Sequence, residues 1–177
     1  MAIALLRGVN VGGKHALPMV TLREVCEGLG WRDVATLIQS GNVVFRCERR
    51  ELAKAGDVLK GAVQARMGFG PEVVVRSAAE MRAALEACPF EDEGKRIVIM
   101  FLAGVPSAAA RKAVEALPPE PERVALTQRE VYLHYPLGIG TSKFAFTKVE
   151  KAVGMPGTAR NLNTVMKLVE MADALEA

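Results

Sequence analysis

The sequence predicts an α+β protein built as two ferredoxin-like lobes, each a split βαβ unit with an antiparallel sheet, with extra C-terminal helices. Three observations carry the prediction. From Ala2 to Arg76, β-rich runs and amphipathic helical stretches follow in the order β-α-β-β-α-β. From Arg96 onward the order β-α-β-β-α recurs without recognisable sequence repetition. The chain has 177 residues, 50% of them hydrophobic and 24% charged, enough to bury two small cores. The expected lobes are residues 1–77 and 78–177, with the boundary falling within residues 77–92.

Each element has its own signal. Ala2–Arg7 is a short apolar strand that runs into a loop, and Pro18 then opens a helix. Met19, Leu22, Val25, Cys26 and Leu29 keep that helix's 3.6-residue period, and Gly28 and Gly30 end it. Val34–Gln39 and Asn42–Cys47 are strands joined through Ser40-Gly41, a hairpin signal. Glu51–Met67 places Leu52, Val58, Leu59, Ala62 and Val63 on one helical face, and Glu72–Arg76 is a fourth strand. In the second series, Ser77 caps a helix over Ala78–Ala87, closed by Cys88-Pro89. Arg96–Leu102 is a buried strand, Ser107–Leu117 a helix, and Pro118-Pro119-Glu120-Pro121 a stiff turn. Val124–Thr127 and Val131–Tyr135 form a hairpin. Two helices near Ser142–Val153 and Ala159–Leu175 complete the chain.

Composition narrows the functional classes. Aromatic residues make up 5% of the chain, too few for large base-stacking surfaces. Cys26, Cys47 and Cys88 form no C-x-x-C pair, and the chain has 2 histidines, which argues for a reducing compartment and against a structural zinc site. The apolar start ends at Arg7, too short for a signal peptide, and Ile97–Val105 is about half the ~20 residues a membrane helix needs. A cytoplasmic location is expected. The net charge is +3. Residues 138–168 hold five basic residues against one acidic, and residues 1–47 hold five against three, while residues 48–137 balance. Positive charge in the Gly-rich terminal regions points to an anionic ligand.

Four stretches carry candidate chemistry. Gly8-Val-Asn-Val-Gly12-Gly13-Lys14 fits the spacing of a phosphate-cradling loop. Such a loop needs its helix to begin at the lysine and a hydroxyl to hold Mg²⁺. Here His15 takes the hydroxyl's place and Pro18 delays the helix, so the context argues against a nucleotide hydrolase. A basic Gly-rich loop with Arg7 and Asn10 nearby remains. Ile38–Phe45 reads as a hairpin that also sets Gln39, Ser40 and Asn42 at a strand end. Tyr135–Lys143 runs a strand into Gly138-x-Gly140, with Ser142 expected to cap a helix and Lys143 to add charge; no third glycine makes it a dinucleotide fingerprint. In Gly157–Leu168, Thr158 is the expected N-cap, and a helix would align Arg160, Asn163, Thr164 and Lys167 in one donor-rich stripe. Asn and Thr are poor surface helix formers, so this stripe suggests a ligand contact or a packed polar interface. The remaining candidates read as structure: Cys26 as core, Cys88 as a helix-end thiol, Glu91-Asp92-Glu93 as a solvated acidic loop, and His15 and His134 as lacking ligand spacing.

Together these stretches resemble the family called domain of unknown function 1697, bacterial proteins without an assigned activity. The resemblance rests on ALLRGVNVGGKHALPM, IQSGNVVF, RSAAEMRAAL with its following Pro-Phe, and VYLHYPLGIGTSK leading into TARNLNTVMKL. It implies an α+β fold with ferredoxin-like halves and no established catalytic residues.

The expectation for function is a small protein binding a phosphate-bearing ligand, a nucleotide or nucleic-acid segment, in a basic cleft between the lobes. Its wall would comprise Arg7, Asn10, Gly12, Gly13 and Lys14; Gln39, Ser40 and Asn42; Gly138, Gly140, Ser142 and Lys143; and Thr158, Arg160, Asn161, Asn163, Thr164 and Lys167. No catalytic residue, metal or cofactor is assigned. Two alternatives stand beside it. One is an enzyme on a phosphorylated or nucleotide substrate, working by positioning and oxyanion-type stabilisation. The other is a protein-interaction module using the Arg160–Lys167 face. An RRM-type RNA binder is disfavoured, since Phe45 alone is no stacking platform.

Overall fold

The structure, a computed structural model, describes residues 1–117 and 120–177. Pro118 and Pro119 of the expected stiff turn lie outside the described residues. The chain divides into two compact units, Met1–Arg82 with Lys167–Ala177, and Ala83–Met166.

In the first unit, β1 (Ala2–Leu6), α1 (Met19–Gly28), β2 (Arg32–Leu37), β3 (Asn42–Arg46), α2 (Ala55–Met67) and β4 (Val73–Ser77) follow in sequence. A 3₁₀ turn at Leu52–Lys54 leads into α2. The sheet order is β2-β3-β1-β4, with every pairing antiparallel. That is the ferredoxin-like arrangement. β1 is central because all five of its residues are apolar, and both of its faces are buried. Ala2, Ala4 and Leu6 share a core with Leu22 and Cys26 of α1 and Leu59 and Val63 of α2. Each fully buried leucine contributes about 1.5–3 kcal/mol relative to exposure. α2 stops at Gly68, whose φ of 80° supplies the left-handed cap.

α3 (Ala78–Glu86) opens with a reciprocal capping box: Ser77 Oγ accepts the Glu80 N–H at 3.2 Å, and Glu80 Oε2 accepts the Ser77 N–H at 2.8 Å. The second unit then runs β5 (Ile97–Leu102), α4 (Ala108–Glu115), β6 (Arg123–Leu126), β7 (Glu130–His134), α5 (Phe146–Val153) and β8 (Gly157–Asn161). Its sheet order is β6-β7-β5-β8, again fully antiparallel. Val98, Met100 and Leu102 pack with Val131, Leu133, Val114 and Val149. β8 completes the second split βαβ and differs from the sequence expectation, which continued a helix back to Ala159. The five residues pair with β5 from Gly157↔Leu102 to Asn161↔Val98, so tertiary pairing overrides local preference. Glycine at 157 is required by close approach, since a Cβ there would lie 2.8 Å from Met100 Cγ. α6 (Leu162–Glu176) starts only after the strand.

The end of α6 belongs to the first unit, whereas the sequence expectation assigned all of 78–177 to the second lobe. Arg46 Nη2 donates to the Leu175 carbonyl at 2.7 Å, and Arg82 Nη2 bridges Asp173 at 2.6 Å and Glu176 at 2.7 Å. No helix among the described residues is long and apolar enough to cross a membrane.

Candidate functional site

In the first unit the Arg7–Leu17 loop is a closed excursion from the end of β1. Asn10 clamps its neck: Nδ2 donates to the Leu17 carbonyl and Oδ1 accepts the Leu17 N–H, both at 2.8 Å. Above that clamp Asn10 N–H donates to His15 O at 3.1 Å, and Lys14 N–H to Val11 O at 3.2 Å. The tip is therefore a two-residue turn. Gly12 and Gly13 occupy it at φ 60° and 73°, the left-handed values such a turn demands at both positions. This is the structural use of the Gly-Gly-Lys stretch, and α1 begins only at Met19. The N–H groups of Gly12 and Gly13 have no acceptor among the described residues. Arg7, Lys14 and His15 are exposed around them.

The same sheet end gathers two further segments. The β2–β3 turn docks on the loop's base: Leu6 N–H donates to Gly41 O at 2.8 Å. A Cβ at Gly41 would lie 2.4 Å from Val9 Cγ2, so the contact is backbone to side chain. Arg7 N–H donates to Glu72 O at 2.8 Å, which brings in the segment before β4. Between them is a cleft of about 310 Å³ lined by Arg7, His15, Phe69 and Glu72, with His15 and Phe69 stacked at 4.7 Å. The Glu72 carboxylate pairs with Lys60. Gln39 is exposed beside this group, whereas Asn42 is buried. Asn42 Nδ2 donates to Ser40 Oγ at 2.6 Å and Leu37 O at 3.3 Å, so Asn42 holds the turn from within.

In the second unit the predicted segments are placed differently. Gly138 has φ 93° and precedes a three-residue 3₁₀ turn, Ile139–Thr141, that includes Gly140. Ser142 does not cap α5, which starts at Phe146. Its hydroxyl donates to the Glu122 carboxylate and accepts the Phe144 N–H at 3.0 Å, fixing the buried Phe144 instead. A carboxylate thus sits where an anion cradle was expected. Lys143 is exposed. Thr158 is buried within β8 and is not an N-cap; its Oγ1 has no hydrogen-bond partner among the described residues. Arg160 also lies in the strand, its Nη1 donating to Ala159 O at 2.8 Å, and burial pushes its pKa down to about 10. The donor-rich stripe therefore does not form as one helical face. Asn161 is the true cap, its Oδ1 accepting the Thr164 N–H at 2.9 Å. Asn163 packs on Gly94, where a Cβ would lie 2.0 Å from Asn163 Oδ1, and Lys167 is exposed.

One cluster in this unit escaped the sequence. His134 Nε2 meets Asp92 Oδ2 at 2.8 Å, and its Nδ1 faces Arg123 Nε at 3.2 Å and Nη2 at 2.9 Å. A guanidinium only donates, so Nδ1 is the unprotonated nitrogen and Nε2–H donates to Asp92. The His134 hydrogen bond, followed by the Glu93 N–H, holds the Asp92 carboxyl below its usual range. Phe90 stacks on His134 at 5.4 Å and lies under Arg123 at 5.1 Å. Both ring nitrogens are committed and His134 is buried, so the cluster fastens the Glu91–Arg96 loop to the β6–β7 hairpin. It offers no lone pair for a substrate proton. The one signal in sequence was the Arg123↔His134 cross-strand pair, visible only once the hairpin register is known. Among the described residues no group of three or more His, Cys, Asp or Glu could hold a metal ion.

A family described as proteins of unknown function, DUF1697, matches residues 1–132. The chain belongs to that family. Tyr135–Lys143 and Thr158–Leu168 lie beyond the matched residues. The conserved bacterial protein SP0830 from Streptococcus pneumoniae is similar in structure, with a TM-score of 0.72 and 23% identity over 97% of each chain. At that identity the likeness establishes the α+β fold and nothing about activity. No curated protein matches the chain.

Proposed function

We propose that this DUF1697 protein binds a phosphate-bearing ligand, a nucleotide or nucleic-acid segment, at the Arg7–Leu17 loop of its first unit. The observation that carries the reading is the loop tip, where two uncommitted N–H groups, Gly12 and Gly13, stand beside the exposed Lys14. Backbone donors together with a cation suit phosphate oxygens. The Asn10–Leu17 clamp holds the loop before a ligand arrives, which reduces the ordering cost of binding. Arg7 and the His15–Phe69 ring pair line the adjoining cleft, giving room for a base or sugar next to the phosphate. Cytoplasmic residence belongs to the same proposal, supported by three free thiols, Cys26, Cys47 and Cys88.

The test is an NMR and thermal-shift titration with adenosine monophosphate, short RNA and short DNA, using adenosine as the uncharged control. The Gly12 and Gly13 amide signals move with the phosphorylated ligands and not with adenosine. Lys14→Ala weakens binding about tenfold, the loss of one charge-assisted contact. Unmoved glycine signals, or equal binding by Lys14→Ala and the parent chain, would overturn the proposal. Turnover of the phosphate ester during the titration would assign an enzyme to the same loop.

A further inference from the structure

The chain has 2 histidines, and they are held in opposite ways. Both ring nitrogens of His134 are committed, to Asp92 and to Arg123. His15 is exposed, and neither of its ring nitrogens has a hydrogen-bond partner among the described residues. Its ring contact is with Phe69, the centroids 4.7 Å apart and the planes inclined by 27°.

His15 is nevertheless fixed in place. Its backbone has a φ of 51°, a left-handed value uncommon for a residue with a side chain, and its carbonyl accepts the Asn10 N–H at 3.1 Å. Phe69 follows the Gly68 cap of α2 and packs on the core that holds Leu59 and Val63. The imidazole is therefore anchored through its backbone by Asn10 and through one ring face by a core-packed ring. No ring or cation covers its second face among the described residues. Histidine is one of the side chains on which unstacked bases lie. A ring already held in place takes a second ring without the cost of being ordered.

Spacing and volume both suit one nucleotide. Gly13 and His15 are two residues apart, so their Cα atoms lie within about 7.6 Å of each other. A 5′-phosphate and its own base are separated by one sugar, a span of the same order. His15 and Phe69 line the cleft of about 310 Å³, close to the lower limit of about 300 Å³ for ligand pockets. That volume suits a single base with its sugar and is too small for a base pair.

We propose, on the phosphate reading of the Gly12–Gly13 tip, that His15 is the base platform of the same site and selects a nucleotide whose base is unpaired. The base stacks on the imidazole face opposite Phe69. Bases inside a duplex have both faces covered by their neighbours, so a duplex cannot present one to His15. The platform is one ring wide and takes one base, not a run of them. A free mononucleotide and a single strand offer it the same chemistry.

The His15 ring protons report the stack, because the other histidine, His134, is buried and gives a separate set of signals. The probes are adenosine monophosphate, ribose 5-phosphate, a single-stranded DNA and its blunt-ended duplex. Adenosine monophosphate moves the Gly12 and Gly13 amides and shifts the His15 ring protons upfield. Ribose 5-phosphate moves the glycine amides alone and binds about tenfold more weakly, the loss of one base stack. The single strand moves the His15 ring protons and the duplex does not. His15→Asn keeps a residue that tolerates the left-handed backbone while removing the ring. It lowers adenosine monophosphate binding to the level of ribose 5-phosphate and leaves ribose 5-phosphate binding unchanged. Equal binding of the two monophosphates, a His15 ring unmoved by adenosine monophosphate, a duplex as effective as the single strand, or undiminished binding by His15→Asn overturns the stacking. In each of those cases, glycine amides that still move leave the phosphate site standing. Glycine amides unmoved by every phosphorylated probe overturn both.

Discussion

Asn10 is the residue on which the candidate phosphate loop depends. Its amide makes two 2.8 Å hydrogen bonds to the backbone of Leu17, and Leu17 is fully buried, so water cannot readily replace them. Asn10→Ala leaves one donor and one acceptor unsatisfied. At about 1 kcal/mol net for each bond the loss is about 2 kcal/mol. In a chain of this length that lowers the melting temperature by about 4–8 °C. Asn10→Asp separates the two bonds. The introduced carboxylate can still accept the Leu17 N–H, but its other oxygen faces the Leu17 carbonyl and cannot donate. Protonated, it can do both. The introduced group's folded pKa is therefore raised above the ordinary aspartate value of about 3.9, and its contribution is fully present below that value and lost as pH rises through the folded pKa. Asn10→Asp should thus approach the parent stability as pH falls, while Asn10→Ala keeps its deficit. Chemical denaturation at several pH values reads both, and exchange of the Leu17 amide reports the clamp directly. If Asn10→Ala costs under about 0.5 kcal/mol and Leu17 exchange is unchanged, the clamp does not hold the loop and the preorganisation argument fails.

Three further outcomes follow from named contacts. Gly41→Ala places a Cβ 2.4 Å from Val9 Cγ2 and 2.9 Å from Leu6 Cβ at a φ of 68°, so urea unfolding should show a loss of about 2–4 kcal/mol. The chain's two tyrosines, Tyr132 and Tyr135, are buried and donate to Ala84 O at 2.8 Å and Phe144 O at 3.2 Å. Burial pushes both pKa values up to about 12, so tyrosinate absorbance should appear near pH 12 in the folded chain and near pH 10 in urea, with stability falling across that interval. A folded-state midpoint near 10 would refute the burial of both hydroxyls. Asp92, with its folded pKa lowered chiefly by His134, contributes stability above the ordinary carboxyl pKa of about 4 that is lost as pH falls through the lower folded value. Asp92→Asn should remove that part of the acid profile, so the two curves converge at low pH.

The parts of the fold that were legible were those with local signals. The apolar run of β1, the Ser40-Gly41 hairpin, the 3.6-residue pattern of α1 and the Ser77 cap all appear as expected, because each is decided by residues within a few positions of one another. β8 was not legible. Gly157–Asn161 has no strong strand signal, and only its pairing with β5 makes it a strand. That single error moved Thr158 from a helix cap to a buried position and took Arg160 off the supposed helical face. The Asp92–His134–Arg123 cluster was hidden for the same reason, since His134 and Asp92 are 42 positions apart. In the first loop, His15 and Pro18 argued against the hydrolase reading of the Gly-Gly-Lys spacing. The side-chain clamp across seven positions was not visible.

Counting charge along the chain also differs from counting it in space. Residues 138–168 carry the strongest local excess of lysine and arginine, which placed the firmer half of the expected site there. In the structure Arg160 is drawn into the sheet and desolvated, and Ser142 turns toward the Glu122 carboxylate. The modest excess in residues 1–47 includes Arg7 and Lys14 on a loop whose backbone also contributes uncommitted donors. A charge presented with fixed N–H partners is worth more to a phosphate than a larger number of solvated or internally engaged ones, because the ligand exchanges water for several donors at once. Of the two Gly-rich stretches, the first therefore has the better claim to the ligand, although only the second was expected to stand at the start of a helix.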